Sequence, residues 1–315
     1  MVVHDGLHGA YLRKGLTARL GRHQLEAAIS DGRLRKVWSG VLADADRILD
    51  IRTRASAALL LHGDRSVVCG PTAARLHGCT AIESGDTHVL VPYGNCLRSR
   101  PGLAVHNGPL PEEDVTEIDA LPVLSTERTL TDLLCTARPR DALAVADQVL
   151  AGIPVERREM FRARITQRLK DRRDPRGSRR GAQLLGLATG RAESPPESWL
   201  LLEVIDLGFP PPEVNWSLYS ATGAVLYRLD LAWPDQRIAL EYNGYAVHTG
   251  REIEDGFRAD DLRRRGWIVI TVTIDDLQVN RRLEQTLRAA FERRGVRISV
   301  SPPRSAESSD SAYEI

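Results

Sequence analysis

Long apolar runs are absent from this sequence. No stretch reaches the ~18 consecutive apolar residues that a membrane span needs. The opening residues MVVHDGLHGAYLRKG also contain no apolar core of the kind that a secretory signal peptide has. Both absences predict a cytoplasmic protein with no membrane partner.

The sequence also lacks paired cysteines and a phosphate-binding loop. None of the four cysteines forms a CxxC motif, which argues against a zinc ribbon and makes a disulfide framework unnecessary. The glycines of GPTAARLHG at 70–78 do not have the GxxxxGK[ST] spacing of a phosphate loop. We expect reduced thiols at Cys69, Cys79, Cys96 and Cys135.

Charge is balanced overall but uneven along the chain. The 43 Lys and Arg residues against 42 Asp and Glu residues give a net +1. Residues 1–54 carry +4 and 156–191 carry +8, whereas 55–150 and 192–315 carry −5 and −6. Two basic segments favour contact with a polyanion such as nucleic acid. For 156–193 the alternative is a solvated basic helix and an exposed linker.

The first 54 residues have the element order of a winged helix-turn-helix. Apolar spacing predicts helices near 9–14 and 19–30 with a break at Gly21, followed by a basic two-stranded ribbon. In that fold the second helix enters the major groove and the ribbon lies along phosphates. The alternative is any small helical domain with an exposed hairpin. The predicted nucleic-acid contacts are Arg22, His23, Arg33, Arg35 and Lys36.

Residues 55–155 predict a small α+β region without chemistry of its own. Helices are expected at 55–62, 72–77, 125–136 and 140–150, and a strand at 87–92. Four histidines there have no metal-ligand spacing, and we expect packed or surface side chains at His62, His77, His88 and His106. The Ser/Pro-rich residues 299–315 predict a disordered tail.

Residues 194–298 predict a mixed sheet flanked by helices. The order of elements is α-β-β-β-α-β-α, with strands near 213–219, 225–233 and 237–242. If the second and third strands turn at Asp235-Gln236, Asp230 lies directly opposite Glu241 on one face. A turn one residue tighter makes the two carboxylates diagonal neighbours on that same face.

Two adjacent carboxylates raise each other's pKa unless a cation lies between them. Magnesium prefers oxygen ligands and keeps waters, which suits phosphodiester hydrolysis. We therefore predict a Mg²⁺ or Mn²⁺ site at Asp230 and Glu241, with Glu197 of the preceding helix as a third acid. The alternative is a pair of solvent-facing acids at a sheet edge.

The stretch RLDLAWPDQRIALEYNGYAVH, with its flanking helix and GWIVITVT, resembles the PD-(D/E)XK nucleases, and more narrowly the very short patch repair (Vsr-like) endonucleases. The resemblance spans about 194–294. It implies metal binding at Asp230 and a contribution from Glu197, and it places the E-x-K pair on Glu241 and Asn243. The sequence departs from the family at Asn243, because an amide cannot replace the lysine. The GxxxH element falls on Gly244 and His248, and His248 is a candidate base or water-holding residue. Arg258 could supply positive charge or contact nucleic acid.

Residues 5–150, with GLTARLGRHQLEAAISDGRLRKVWSGVLAD, GPTAARLHG and STERTLTDLL, resemble the AbiEi-type antitoxin region. That family pairs a winged helix with a small α+β domain, which implies DNA binding and a toxin protein as a further partner.

The combined expectation is an α/β (α+β) protein in which a winged helix positions a restriction-endonuclease-like domain on DNA. The alternative is a non-catalytic, antitoxin-like regulator whose nuclease fold is degenerate.

Overall fold

The computed structural model describes residues 6–63, 65–94, 98–243 and 252–298. These residues form twelve α-helices and three β-sheets, which confirms the expected α+β class. The helices are α1 Arg13–Leu20, α2 Arg22–Ser30, α3 Ile51–His62, α4 Gly70–Leu76, α5 Thr126–Thr136, α6 Pro139–Ala151, α7 Val155–Lys170, α8 Ser178–Leu187, α9 Pro195–Asp206, α10 Glu252–Arg264, α11 Ile274–Gln278 and α12 Arg281–Arg293. The strands are β1 Ala10–Leu12, β2 Leu34–Trp38, β3 Val41–Asp44, β4 Val67–Val68, β5 Thr87–Val91, β6 Leu103–Asn107, β7 Val115–Ile118, β8 Leu121–Leu124, β9 Glu213–Tyr219, β10 Val225–Trp233, β11 Ile238–Tyr242 and β12 Ile268–Val272.

The chain divides into two compact units that are not consecutive in sequence. Over the described residues, the N-terminal unit comprises 1–137 with 155–183, and the C-terminal unit comprises 138–154 with 184–315. The chain passes from one unit to the other at 137/138, 154/155 and 183/184. Helix α6 packs on α9 in the C-terminal unit, whereas α7 packs on α5 in the N-terminal unit. The basic helix expected within 156–193 is present as α7, but it is not fully solvated, because it buries an apolar stripe of Phe161, Ile165 and Leu169.

The N-terminal unit begins with two short helices and a three-stranded sheet of order β1-β3-β2. Leu16, Leu25 and Leu42 form the centre of its small core. Gly21, with a φ of 79°, separates α1 from α2 as expected from the sequence. The helix expected near 9–14 is wrong for residues 10–12, which pair with β3 as a strand.

A five-stranded sheet of order β6-β5-β4-β8-β7 follows in the N-terminal unit. The predicted strand at 87–92 corresponds to β5, but β4, β6, β7 and β8 were not predicted. Each contains five residues or fewer, which is too short to establish a clear period of two. Three cysteines in this unit are free and buried, as expected, and burial raises the pKa of the Cys79 thiol to about 11. Cys96 lies outside the described residues.

The C-terminal unit contains a four-stranded sheet of order β12-β11-β10-β9. Strands β9, β10 and β11 are antiparallel neighbours, and β12 is parallel to β11. The predicted helices and strands of this unit agree with the structure to within one or two residues. Helix α11, which Thr273 and Asp276 cap at its start, was missed.

None of the helices in the described part of the chain has the length and apolar character to cross a membrane.

Candidate functional site

The direct pairing of two acidic residues is the main feature of the C-terminal sheet. Leu231 of β10 pairs with Leu240 of β11, so the ladder places Asp230 opposite Glu241. This register confirms the pairing predicted from a turn at Asp235-Gln236. The two carboxylates therefore share one face of the sheet.

Asp230 lies in an environment that disfavours its ionised form. Its Oδ2 accepts a hydrogen bond of 2.8 Å from the backbone N–H of Tyr242. Burial raises the pKa of Asp230 from 3.8 to about 6, with repulsion from Glu197 and Glu241 acting in the same direction. The hydrogen bond from Tyr242 and the charge of Arg258 only partly oppose this increase. Asp230 is thus a partly buried carboxylate whose ionised form is disfavoured mainly by desolvation.

Glu197 lies in the first turn of α9 and caps that helix. Its Oε1 accepts a hydrogen bond of 2.8 Å from the Ser194 hydroxyl, and its Oε2 accepts one of 2.8 Å from the Glu193 N–H. The side-chain amide of Asn215 donates a third bond of 2.9 Å to Oε2. Glu197 is only 8% exposed. Its carboxylate therefore organises the start of the helix, and its role as a metal ligand stays a prediction.

Asn215 connects β9 with this acidic group, although no pattern in the sequence singles it out. The β9–β10 ladder pairs Leu231 with Val214 and Leu229 with Trp216, which places Asn215 opposite Asp230. Asn215 has a φ of 48°, the left-handed region that asparagine tolerates better than most residues. EVNWSLY has the appearance of an ordinary strand, so the irregular backbone could not be inferred from it.

The guanidinium group of Arg258, on α10, lies beside Glu241. Arg258 Nη2 is 2.6 Å from Glu241 Oε1 and donates a second bond of 2.6 Å to the Arg228 carbonyl oxygen. The guanidinium also lies over the Tyr227 ring, 5.7 Å from its centroid. Arg258 therefore balances one of the two paired carboxylates. Its predicted contact with nucleic acid stays a prediction.

The remaining predicted residues lie at the end of β11. Asn243 is exposed, and its backbone N–H donates a bond of 2.8 Å to the Val272 carbonyl oxygen. Gly244 and His248 lie outside the described residues, so their predicted roles are untested.

The donor set fits a divalent cation only in part. Asp230 and Glu241 offer the carboxylate oxygens that Mg²⁺ or Mn²⁺ prefers, and repulsion from Glu197 and Glu241 adds to the effect of burial on the pKa of Asp230. Within the ranges that the structure describes, however, no three His, Cys, Asp or Glu side chains are grouped to hold a metal ion. The described residues therefore supply two candidate ligands, and Glu197 is committed to its hydrogen bonds.

A second buried carboxylate fixes the start of α9, and sequence reasoning missed it as well. Asp147 of α6 accepts hydrogen bonds at Oδ1 from the backbone N–H groups of Thr189, at 2.7 Å, and Gly190, at 2.8 Å. Its Oδ2 accepts one of 2.7 Å from the hydroxyl of Ser198, the residue after Glu197. Burial raises the pKa of Asp147, and these hydrogen bonds oppose the rise. Asp147 is a positioning residue for the helix that carries Glu197.

The predicted nucleic-acid residues of the N-terminal unit are all exposed. Arg22 and His23 lie at the start of α2, and Arg35 and Lys36 lie on β2. Arg33 forms an exposed ion pair of 3.3 Å with Asp31. An exposed pair of this kind contributes little to stability and leaves the arginine accessible.

Comparison with known proteins defines the class of the central region. Residues 66–187 match the AbiEi antitoxin C-terminal domain family. That match covers the five-stranded sheet and the following helices, as the resemblance in the first half of the sequence implied. Residues 1–54, for which the sequence predicts a winged helix, and the acidic site of the C-terminal unit lie outside the matched residues.

Two relatives are similar over most of the chain. The chain is 32% identical over 261 residues to uncharacterized protein Rv2248 of Mycobacterium tuberculosis strain H37Rv, and equally to uncharacterized protein MT2308 of strain CDC 1551. The similarity covers 82% of this chain and 92% of each relative, so the chain belongs to the same protein family as these two proteins. A crystal structure of the RV2827C protein from M. tuberculosis has 18% identity and a TM-score of 0.36, with coverage of 67% of this chain and 84% of that one.

Proposed function

We propose that this protein binds DNA through the winged helix-turn-helix of its N-terminal unit and hydrolyses phosphodiesters at a divalent-cation site in its C-terminal unit. The observation that carries the catalytic part is the placement of Asp230 opposite Glu241, at a position where burial, with repulsion from Glu197 and Glu241, raises the pKa of Asp230 to about 6. Perturbed carboxylates of this kind concentrate at functional sites.

The α-β-β-β-α-β order of the C-terminal unit also supports the proposal, since it is the order expected for a restriction-endonuclease-like domain. Asp230 and Glu241 would hold Mg²⁺ or Mn²⁺, which when bound polarises a phosphate and lowers the pKa of a water. Glu197 and Asn215 position the start of α9 beside that pair. His248 remains the predicted base for the water.

The test is cleavage of supercoiled and single-stranded DNA in Mg²⁺ or Mn²⁺ by the wild type and Asp230→Asn, with gel-shift binding on both. We expect the wild type to cleave and the variant to fall by ~10²-fold or more while it still binds DNA, because a metal-ligand oxygen is replaced by an amide. The matched control is Asp235→Asn, an exposed aspartate in the β10–β11 turn. Equal activity in all three proteins would place any nuclease outside this site.

The DNA-binding part makes a separate prediction about the wing. Arg35→Gln combined with Lys36→Gln is expected to weaken binding to all DNA sequences and to reduce the salt dependence of the binding constant by ~1 per lost phosphate contact. Binding isotherms at several salt concentrations measure both effects. Arg65→Gln, an exposed arginine outside the winged helix, serves as the control. An unchanged salt slope in the double variant would contradict the proposed interface.

The second candidate function is a non-catalytic, antitoxin-like regulator. Two observations favour it: Arg258 already balances Glu241 at 2.6 Å, and an asparagine stands at 243. The AbiEi antitoxin domain match supports the same candidate and suggests a toxin protein as a further partner. DNA binding by the wild type without cleavage in either metal would favour this function over the nuclease.

A further inference from the structure

The N-terminal unit contains a cavity that the proposed DNA-binding and nuclease roles do not use. Its volume is about 390 Å³, within the range of roughly 300–1,000 Å³ typical of small-molecule sites. The starts of α3 and α4 and the segment before β5 line it. The polar residues that matter for recognition are Arg54, Thr72, Arg75 and Thr87.

Two buried hydroxyls in this cavity have hydrogens to donate. Thr72 is 4% exposed and Thr87 is 3% exposed. Thr72 Oγ1 accepts a bond of 2.8 Å from the His88 N–H, and Thr87 Oγ1 accepts one of 3.3 Å from Arg54 Nε. Neither hydroxyl donates to any acceptor among the described residues. Each hydroxyl therefore keeps a hydrogen that is available for donation to a ligand in the cavity.

The charged side chains of the lining favour an anion in the interior. Arg54 uses Nε and Nη2, the latter on the Gly102 carbonyl oxygen at 3.1 Å, which leaves Nη1 available. Arg75 is exposed and forms no ion pair with the residues that the structure describes. Of the two lining aspartates, Asp50 is committed to capping α3 through Thr53, whereas Asp86 is exposed, as Arg75 is. The lining thus offers two guanidinium groups and two hydroxyl donors against one uncommitted carboxylate.

We propose that this cavity binds a small ligand through an oxyanion, a phosphate or carboxylate group, held by Arg54, Arg75 and the hydroxyls of Thr72 and Thr87. Guanidinium groups and hydroxyls are the usual partners of such oxygens. This site does not depend on the nuclease function of the C-terminal unit.

Side-chain contacts also link the cavity to β2, a strand of the proposed wing. The Arg54 guanidinium lies over the ring of Trp38, the last residue of β2, 5.6 Å from its centroid. The Trp38 indole N–H donates a bond of 3.1 Å to the Pro101 carbonyl oxygen, next to the residue that Arg54 contacts. A ligand that draws Arg54 into the cavity therefore alters the support of the wing. This consequence for DNA affinity rests on the DNA-binding part of the proposed function.

The test is isothermal titration of the full chain with inorganic phosphate, adenosine monophosphate and succinate at constant ionic strength. We expect saturable binding of at least one probe, with affinity reduced ~10-fold or more in Arg75→Gln and unchanged in Arg65→Gln, an exposed arginine that does not line the cavity. The phosphate and succinate arms distinguish the two oxyanion classes. Arg75 is exposed and unpaired with described residues, so its replacement leaves the fold intact.

Two results would overturn the site: no saturable binding of any probe by the wild type, or equal losses in both arginine variants, which would indicate general charge attraction. Gel shifts with the bound probe, against chloride at the same ionic strength, test whether ligand binding in the cavity changes DNA affinity. Probe binding with unchanged DNA affinity would contradict the link between cavity and wing but not the ligand site itself. Loss of DNA binding in the wild type itself would instead contradict the proposed function.

Discussion

Asp147→Ala is expected to lower the free energy of unfolding of the C-terminal unit by about 3–5 kcal/mol. The carboxylate accepts three bonds of 2.7–2.8 Å, from Thr189, Gly190 and Ser198. Its removal leaves two backbone N–H groups and a hydroxyl without their acceptor, and at 1% exposure water has little access to the site. Urea unfolding followed by tryptophan fluorescence measures the loss. Four of the five tryptophans, all but Trp38, belong to this unit.

Two further variants separate hydrogen bonding from mere loss of charge. Asp147→Asn keeps one acceptor oxygen, and its amide can donate to the Ser198 hydroxyl, so a smaller loss is expected. Asp141→Ala removes the same side chain from the first turn of α6, where Asp141 lies 3.6 Å from Arg140. That change is expected to cost less than about 1 kcal/mol. If Asp147→Ala cost no more than Asp141→Ala, the proposed anchoring of α9 would be wrong.

Asp230→Asn is expected to stabilise the C-terminal unit at neutral and alkaline pH. The folded-state pKa of Asp230 is about 6 against an ordinary 3.8, so the folded protein binds this proton more tightly than the unfolded chain. Above pH 6 both states are ionised, and the fold carries the whole cost of the buried charge, about 2–3 kcal/mol. As pH falls through 6 towards 3.8, that cost disappears from the wild type. The variant lacks it at every pH.

The measurement is the difference in the free energy of unfolding between Asp230→Asn and the wild type from about pH 4 to pH 8. The difference cancels the titration of the other carboxylates that both proteins share. This difference in the free energy of unfolding should be small near pH 4, increase as the pH approaches 6, and reach a plateau above it. Asp235→Asn, at an exposed turn position, should show no such rise. A difference independent of pH would contradict the raised pKa.

The expected stabilisation by Asp230→Asn is also relevant to the function of Asp230. A carboxylate that lowers the stability of its own domain has no structural value at physiological pH. Residues of this kind are retained where binding or chemistry needs them. Burial raises the pKa of both carboxylates, but Asp147 accepts hydrogen bonds from Thr189, Gly190 and Ser198, whereas Asp230 accepts one from the Tyr242 N–H. The pH profile and the cleavage assay on the same Asp230→Asn protein therefore test the site by independent routes.

The sequence predicted the acidic pair because its signals are local. A short turn centred on Asp235-Gln236, formed by residues 234–237, and the alternation of apolar residues fix the register, and a β-ladder of known register determines which side chains are opposite. The helices of the C-terminal unit were equally predictable, since Ser194 and the prolines mark the start of α9 and Gly208 follows its end.

Short elements and long-range partners were not predictable in this way. Strand β4 has two residues and no period of its own, and it exists because β5 and β8 flank it. The ion pair of Arg258 with Glu241 joins residues 17 positions apart, and Asp147 meets Ser198 across 51 positions. Nothing in the local sequence distinguishes these arginines and aspartates from solvated ones.

The sequence by itself therefore determined the α+β class, the helices and strands of the C-terminal unit, and the position of Asp230 opposite Glu241. Periodicity, helix caps and turn length are local properties, so the sequence alone reveals them. Only the tertiary structure decided that α6 joins the C-terminal unit and α7 the N-terminal one, that Glu197 caps α9, and that Arg258 balances Glu241. Those outcomes depend on which apolar stripes and buried charges meet in space, and packing rather than local propensity selects such partners.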